Sequence, residues 1–332
     1  MQTIRNLGRV RFPAAAIALL MLTCGTSSSA WCASKNLWIS TFDGPIESYT
    51  SKQLKKSGMP TPIGLATAGP SHGLAFDQSK NLWVSIHPDH SEVVQFTAAQ
   101  LKDLKNDPNP TPAVVISTDS TVVKDLSGCN FDSEGNLWVA DAGNGSLDEL
   151  SKAQLAAGSA DELTPNIVIT SADLVEATFV SFDKAGNAWV SDAGEDTIAE
   201  FSASQLTSGG SKPATVVLNT NLCPEELVFD KDGNLWVAGV CSDTVVEFAK
   251  SQLVSSGSPT PSITLSSAIF GDDEPSGVAF DSKGDLAVTT FEDGTIAKFT
   301  AKQLKASGAP VPKVVVTGAE NDNNQIIFGP AF

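Results

Sequence analysis

One phrase recurs along this chain, and its period decides what the chain can fold into. The stretch "YTSKQLKKSGMPTP" at residues 49–62 returns almost unchanged as "FTAKQLKASGAPVP" at residues 299–312. Its Gln-Leu pair stands at Gln53, Gln100, Gln154, Gln205, Gln252 and Gln303, with spacings of 47, 54, 51, 47 and 51 residues. A second phrase keeps step with it: "FDQSKNLWVS", "FDSEGNLWVA", "FDKAGNAWVS", "FDKDGNLWVA" and "FDSKGDLAVT", beginning at Phe76, Phe131, Phe182, Phe229 and Phe280. A truncated copy, "SKNLWIS", starts at Ser34 without its Phe-Asp half.

Each unit reads as four short strands. In the fourth full unit these are "ELVF" at 226–229, "NLWVAG" at 234–239, "TVVEF" at 244–248 and "SITLS" at 262–266. β-Branched and aromatic residues fill the strands, and Asp-Gly or Lys-Gly pairs between the first two are hairpin turn signals. Six units of four antiparallel strands predict an all-β chain, a six-bladed β-propeller. The chain opens at a second strand and closes on an unpaired first strand, "QIIFGP" at 325–330. One blade is therefore expected to combine one C-terminal strand with three N-terminal strands, which fastens the ring and leaves no open edge.

The recurring phrase begins Ser/Thr-x-x-Gln in five of six copies, the pattern of a capping box, and has Ala249 in the remaining one. It predicts a short helix in every loop between third and fourth strands, least firm at Ala249. The Ser-Gly pair and prolines behind it suggest a left-handed C-cap and a stop.

Residues 1–30 form a separate unit, with Arg5, Arg9 and Arg11 before the apolar run "FPAAAIALLMLTC" and a small-residue end at Ala30. This is the pattern of a secretory signal peptide, so the propeller is assigned to residues 31–332 and expected to be periplasmic or secreted. A lipid anchor at Cys24 is the competing reading, although Thr23 before it fits that pattern poorly. The apolar run is too short to span a bilayer. Removing the leader takes three of 21 basic residues and no acid, leaving 18 against 38 acidic ones, a net charge of −20. That sign repels phosphate backbones and anionic membranes, so nucleic acid is not an expected partner and cations are favoured.

If sameness marks scaffold, the informative positions are those where copies differ, at the end of the ring opposite the recurring phrase. Approaching the first strands stand His72, Asp125, Glu176, Glu225 with Glu226, and Glu274 with Asp273. After the second strands stand His87, Asp89, His90, Asp141, Asp192, Asp243 and Asp293. A ring of carboxylates suits one hard divalent cation, Ca²⁺ in the first place, or serves only as a solvated acidic rim. All three histidines fall in one blade, and with Asp89 they offer a nitrogen and oxygen set for a ligand or for Zn²⁺. Cys223, before a first strand, and Cys241, after the adjoining second strand, are expected to form a disulfide. Cys129, inside a first strand, reads as a buried apolar residue.

With "PSGVAFD" at 275–281 and "DKAGNAWVSD" at 183–192 in view, the repeats resemble NHL-type propellers and, more broadly, the gluconolactonase and strictosidine-synthase-like group. The lactonase resemblance implies a cation at the channel mouth, Ca²⁺, Zn²⁺ or Mn²⁺, held by Glu274 with Asp192 and Asp141. No "EGP" followed by an aromatic residue is present, however. The NHL resemblance implies a binding platform, although its customary third-strand Arg is Val or Ile here, as in "TVVEF" and "TIAKF". Two functions follow: a binding module for a protein, glycan or small-molecule ligand, and a metal-dependent hydrolase in which the cation polarises a carbonyl. A shared shape does not choose between them.

Overall fold

The computed structural model describes residues 36–41, 44–65, 67, 69–86, 91–271, 274–318 and 323–329. Residues 1–30, including Cys24, and Cys32, His87, Asp89, His90 and Asp273 lie outside them. Six sheets, each with four antiparallel strands and two of them extended by a short parallel fifth, make up a six-bladed β-propeller. Blade one joins Asn323–Gly329 to Asn36–Thr41, Ile46–Thr50 and Ile63–Leu65, so both chain ends share a sheet as expected. Blades two to six begin with the first strands Ser71–Phe76, Leu126–Phe131, Ala177–Phe182, Pro224–Phe229 and Pro275–Phe280. Adjacent first strands pack against one another all the way round the ring.

The core lies between blades and is built from the repeat itself. The tryptophan of one blade meets the phenylalanine of the next edge-on, from Trp38 and Phe76 at 5.8 Å to Trp236 and Phe280 at 5.9 Å. The pairs Trp83–Phe131, Trp138–Phe182 and Trp189–Phe229 continue the series. Such contacts add about 0.5–1.5 kcal/mol each beyond the area they bury. Blade six has Ala287 in place of the tryptophan, and a different polar arrangement beside it.

The Asp of each "FDxxGN" turn explains the constancy of the phrase. In blade three, Asp132 Oδ1 accepts the N–H groups of Glu134, Gly135 and Asn136, while Oδ2 accepts from Asn136 Nδ2 and Trp138 Nε1. The Asn side chain in turn accepts the N–H at the start of the rim helix, as Asn136 does from Lys152. In blade six, where Asn and Trp become Asp285 and Ala287, Lys298 Nζ reaches Asp281 Oδ2 at 2.6 Å instead.

Each of the six loops between third and fourth strands carries a short helix, α-helical over Ala98–Asp103 and Lys152–Ala157 and a 3₁₀ turn in the others. The Gln does two jobs. Gln303 Oε1 accepts from the N–H of Thr300, and its Nε2 donates to the Val311 carbonyl ahead of the last proline. All six copies make the second bond, which is why Gln persists where the hydroxyl does not; Ala249 N–H still donates to Gln252 Oε1.

The Ser-Gly pair is not a left-handed helix cap. The turns end in extended residues such as Lys56 and Ala306, and the pair lies against the outer strand of the preceding blade. Ser307 Oγ accepts the N–H of Thr264, Gly308 N–H donates to Thr264 O, and Ser266 N–H donates to Gly308 O. The same stitch joins Ser57 and Gly58 to blade six, and Ser256 and Gly257 to blade four. In blades three and four the stitch lengthens into Ala160–Leu163 and Gly210–Ser211, parallel to the neighbour's outer strand. An edge that would otherwise be bare is thereby covered.

Candidate functional site

Every first strand is bulged against its second strand near the mouth of the ring. A bulge leaves N–H groups without ladder partners, and the fifth residue of the "NLWVS" phrase takes several of them. Ser85 Oγ accepts from Gly73, Ser191 Oγ from Phe179 and Ser40 Oγ from Gln325, at 2.7 to 3.0 Å.

At the third position of the six first strands the residues are Gln325, Gly73, Gly128, Phe179, Glu226 and Gly277 in ring order. The three large side chains reach across the centre into space that the glycines leave. Gln325 Oε1 accepts the Leu74 N–H one blade away, at 2.6 Å, and its Nε2 donates to the Cys129 carbonyl two blades away, at 3.5 Å. Glu226 Oε2 accepts the N–H of Val278 in the next blade and of Ile326 in the one beyond, at 2.8 and 3.0 Å. The Phe179 ring covers Gly128, where a Cβ would fall inside it, and a Cβ at Gly73 would come within 2.6 Å of the Cys129 nitrogen. The channel is crossed at this level. Glu226 is therefore part of the floor and not of the mouth where its sequence position suggested it. Burial raises its pKa well above the ordinary carboxylate value, against the opposing hydrogen bonds from Ile326, Val278 and Gln325.

One residue nearer the mouth stand His72, Ser127, Thr178, Glu225 and Ser276. His72 Nδ1 lies 3.3 Å from Ser127 Oγ, and Thr178 Oγ1 donates to the Pro224 carbonyl. Glu225 is half-buried, and its pKa is pushed up to about 8, first by burial and then by the charge of Glu176. Glu176 itself is exposed on the rim, with Asp125 and Glu274 at the matching positions of blades three and six. Glu274 and Cys223 hold the left-handed region at φ 43° and 45°, each just before a proline. Cys223 and Cys241 form the expected disulfide, with Cα atoms 5.3 Å apart. Cys129 is buried, and burial pushes its thiol up to about 12.

Asp141 and Asp192 have a structural occupation. Asp141 accepts the N–H groups of Lys124, Asp125 and Gly143 and the Asn144 amide. Asp192 accepts those of Val175, Glu176 and Glu195. Both are fully buried and hold the entry to the first strand of their own blade. Glu225 thus feels the charge of Glu176 from the neighbouring blade, while Asp141 and Asp192 are engaged behind the rim. Among the described residues, no three of His, Cys, Asp or Glu converge in a metal-holding group. The floor escaped sequence reasoning, although its signal is visible: one aligned column reading Gly three times and Phe, Glu and Gln once each.

No protein-family model matches this sequence, and no curated protein does. Solved structures match in shape. A protein of unknown function from Bacteroides caccae superposes with a TM-score of 0.61 at 9% identity, over 88% of this chain and 98% of that one. A chain of a nidogen/laminin complex gives 0.57 at 13%, over 88% and 97%. A streptogramin B lyase gives 0.51 at 11%, over 82% and 72%. At these identities the likeness concerns the fold alone.

Proposed function

We propose that this chain is an extracytoplasmic binding propeller of the NHL and gluconolactonase-like kind its repeats resemble. Its blind mouth takes one divalent cation or the cationic part of a small-molecule, glycan or protein ligand. The observation that carries this reading is the pairing of Glu225 with Glu176 over a floor closed by Phe179, Glu226 and Gln325. A carboxyl raised to about 8 by burial and a like charge is relieved by an arriving cation, so binding releases a proton. The net charge supports a cationic partner, and the Cys223–Cys241 bond, with the leader-like residues 1–30, supports an oxidising compartment. The laminin-complex chain is a propeller found in a protein assembly, in keeping with a binding role.

Calorimetric titration at pH 7 with Ca²⁺, Mn²⁺, Zn²⁺ and 1,5-diaminopentane, in buffers of differing ionisation enthalpy, tests it. Saturable binding with proton release, lost in Glu225→Gln, is expected; no binding by any of the four ends the reading. The hydrolase alternative has less support, because Asp141 and Asp192 spend their carboxylates on backbone N–H groups. Chelator-sensitive turnover on a lactone and ester panel, lost in Glu274→Ala, would restore it.

A further inference from the structure

The stitches cover the outer strands of blades two to six, and blade one is the exception. Each outer strand turns one residue outward, so that its N–H and C=O point away from its own sheet. In blades two, four, five and six this residue is Val115, Val217, Thr264 and Val315. Its N–H donates to a serine hydroxyl of the following blade, Ser159, Ser256, Ser307 or Ser57, at 3.0 to 3.1 Å. In blades four, five and six, the glycine after that serine donates to the carbonyl of the same residue, at 3.0 Å. Blade three is covered by Gly210–Ser211.

Register puts Gly64 in this place in blade one, opposite Glu47 as Val315 is opposite Ala297 and Thr264 opposite Val246. Among the described residues, neither its N–H nor its C=O meets a partner, and the sheet ends at Ile63–Leu65. Blade two should supply the stitch, and its chain turns away for a chemical reason. Gln100 bonds the Thr111 carbonyl as Gln53 bonds that of Thr61, so counting back from the two threonines sets Asp107 and Pro108 where Ser57 and Gly58 stand. Proline has no N–H to donate. Asp107 N–H turns back to the Asp103 carbonyl of its own helix, at 2.9 Å. Nothing inside the protein requires a glycine at 64: its φ is not in the left-handed region, and a Cβ would meet nothing closer than Pro45 at 3.7 Å. A strand glycine of this kind leaves room for a second backbone to come close.

We propose that the outer edge of blade one takes a Ser-Gly segment of a partner protein, extended and followed by proline, as an added strand parallel to Ile63–Leu65. The sister blades define the ligand. Its serine hydroxyl accepts the Gly64 N–H, and its glycine N–H donates to the Gly64 carbonyl. The proline keeps the segment extended, so little entropy is lost on binding. The Ser-Gly pairs of this chain's own rim loops are engaged in their stitches, so the segment belongs to a different protein. The site shares no residue with the mouth and stands or falls without it.

The test is a titration of the ¹⁵N-glycine-labelled protein with the synthetic peptide "KASGAPVP", the sequence of residues 305–312. The control peptide is "KASPAPVP", which lacks the second donor. The Gly64 amide signal is identified by its loss in Gly64→Ala. The first peptide should shift that signal saturably at millimolar concentration and slow its hydrogen exchange, and the control should do neither. Gly64→Pro removes the outward N–H without touching the inner ladder. Asp107→Ser combined with Pro108→Gly supplies the missing stitch from blade two. Each variant should weaken binding of a fluorescent copy of the peptide several-fold, read by anisotropy. The proposal is overturned if the peptide gives no saturable shift, if the control peptide gives the same one, or if both variants, folded, bind like the parent. Should the variants not fold, the contrast between the two peptides on the parent decides.

Discussion

Glu225 keeps its proton at neutral pH because the ring surrounds it with protein and with Glu176, and this has a consequence for stability. Its folded pKa is about 8 against an ordinary 4.5, so between those values the folded chain holds a proton that the unfolded chain releases. That contribution is complete below about 4.5 and is lost as pH rises through 8. Thermal melts from pH 5 to 8.5 should show a falling midpoint, and Glu225→Gln should flatten the fall. Asp148 acts in the same direction. It is buried in the third strand of blade three, raised to about 7 by burial and by Asp141, with Ser146 donating to one oxygen and no donor to the other among the described residues. Blades two, four and five carry Val94, Ala199 and Val246 there. Asp148→Val should therefore stabilise the protein by about 1–3 kcal/mol at pH 8, read from denaturant unfolding. In the floor, Gly128→Ala drives a methyl group into the Phe179 ring and should cost about 1–3 kcal/mol in the same measurement.

At the scale of elements, the recurring rim phrase is a strap. Its Gln holds the helix start and the Pro-rich exit of its own blade, and its Ser-Gly pair bonds to the outer strand of the blade before. Gln303→Ala removes both attachments and should lower stability by about 1–2 kcal/mol, whereas Ser307→Ala, losing one exposed bond, should lower it by about 0.5–1.5 kcal/mol. The helix and its cap were legible because a capping box is written within four residues. The stitch was not, since its partner lies some 40 residues earlier, as with Ser307 and Thr264, and no local rule connects them.

For the whole molecule, closure rests on Asn323–Gly329 beside Asn36–Thr41, reinforced by Gln325 and by Glu226 reaching Ile326. A chain lacking residues 323–332 would expose the edge of Asn36–Thr41 and open the floor at once. It should elute as aggregates in size-exclusion chromatography. The disulfide in blade five closes a separation of 18 residues, and its reduction should cost about 3 kcal/mol by the chain-entropy estimate.

The sequence alone determined the six blades, the four strands in each, the shared closing blade and the bonded cysteines, because periodicity, turn chemistry and capping act over a few residues and are copied with every unit. Tertiary structure alone decided what the centre and the seams contain. Whether Glu226 faces solvent or spans the channel depends on Ile326, 100 residues away, and whether Gln325 is a strand residue or a floor depends on Leu74, 251 residues away. Those distances are crossed only when the ring closes.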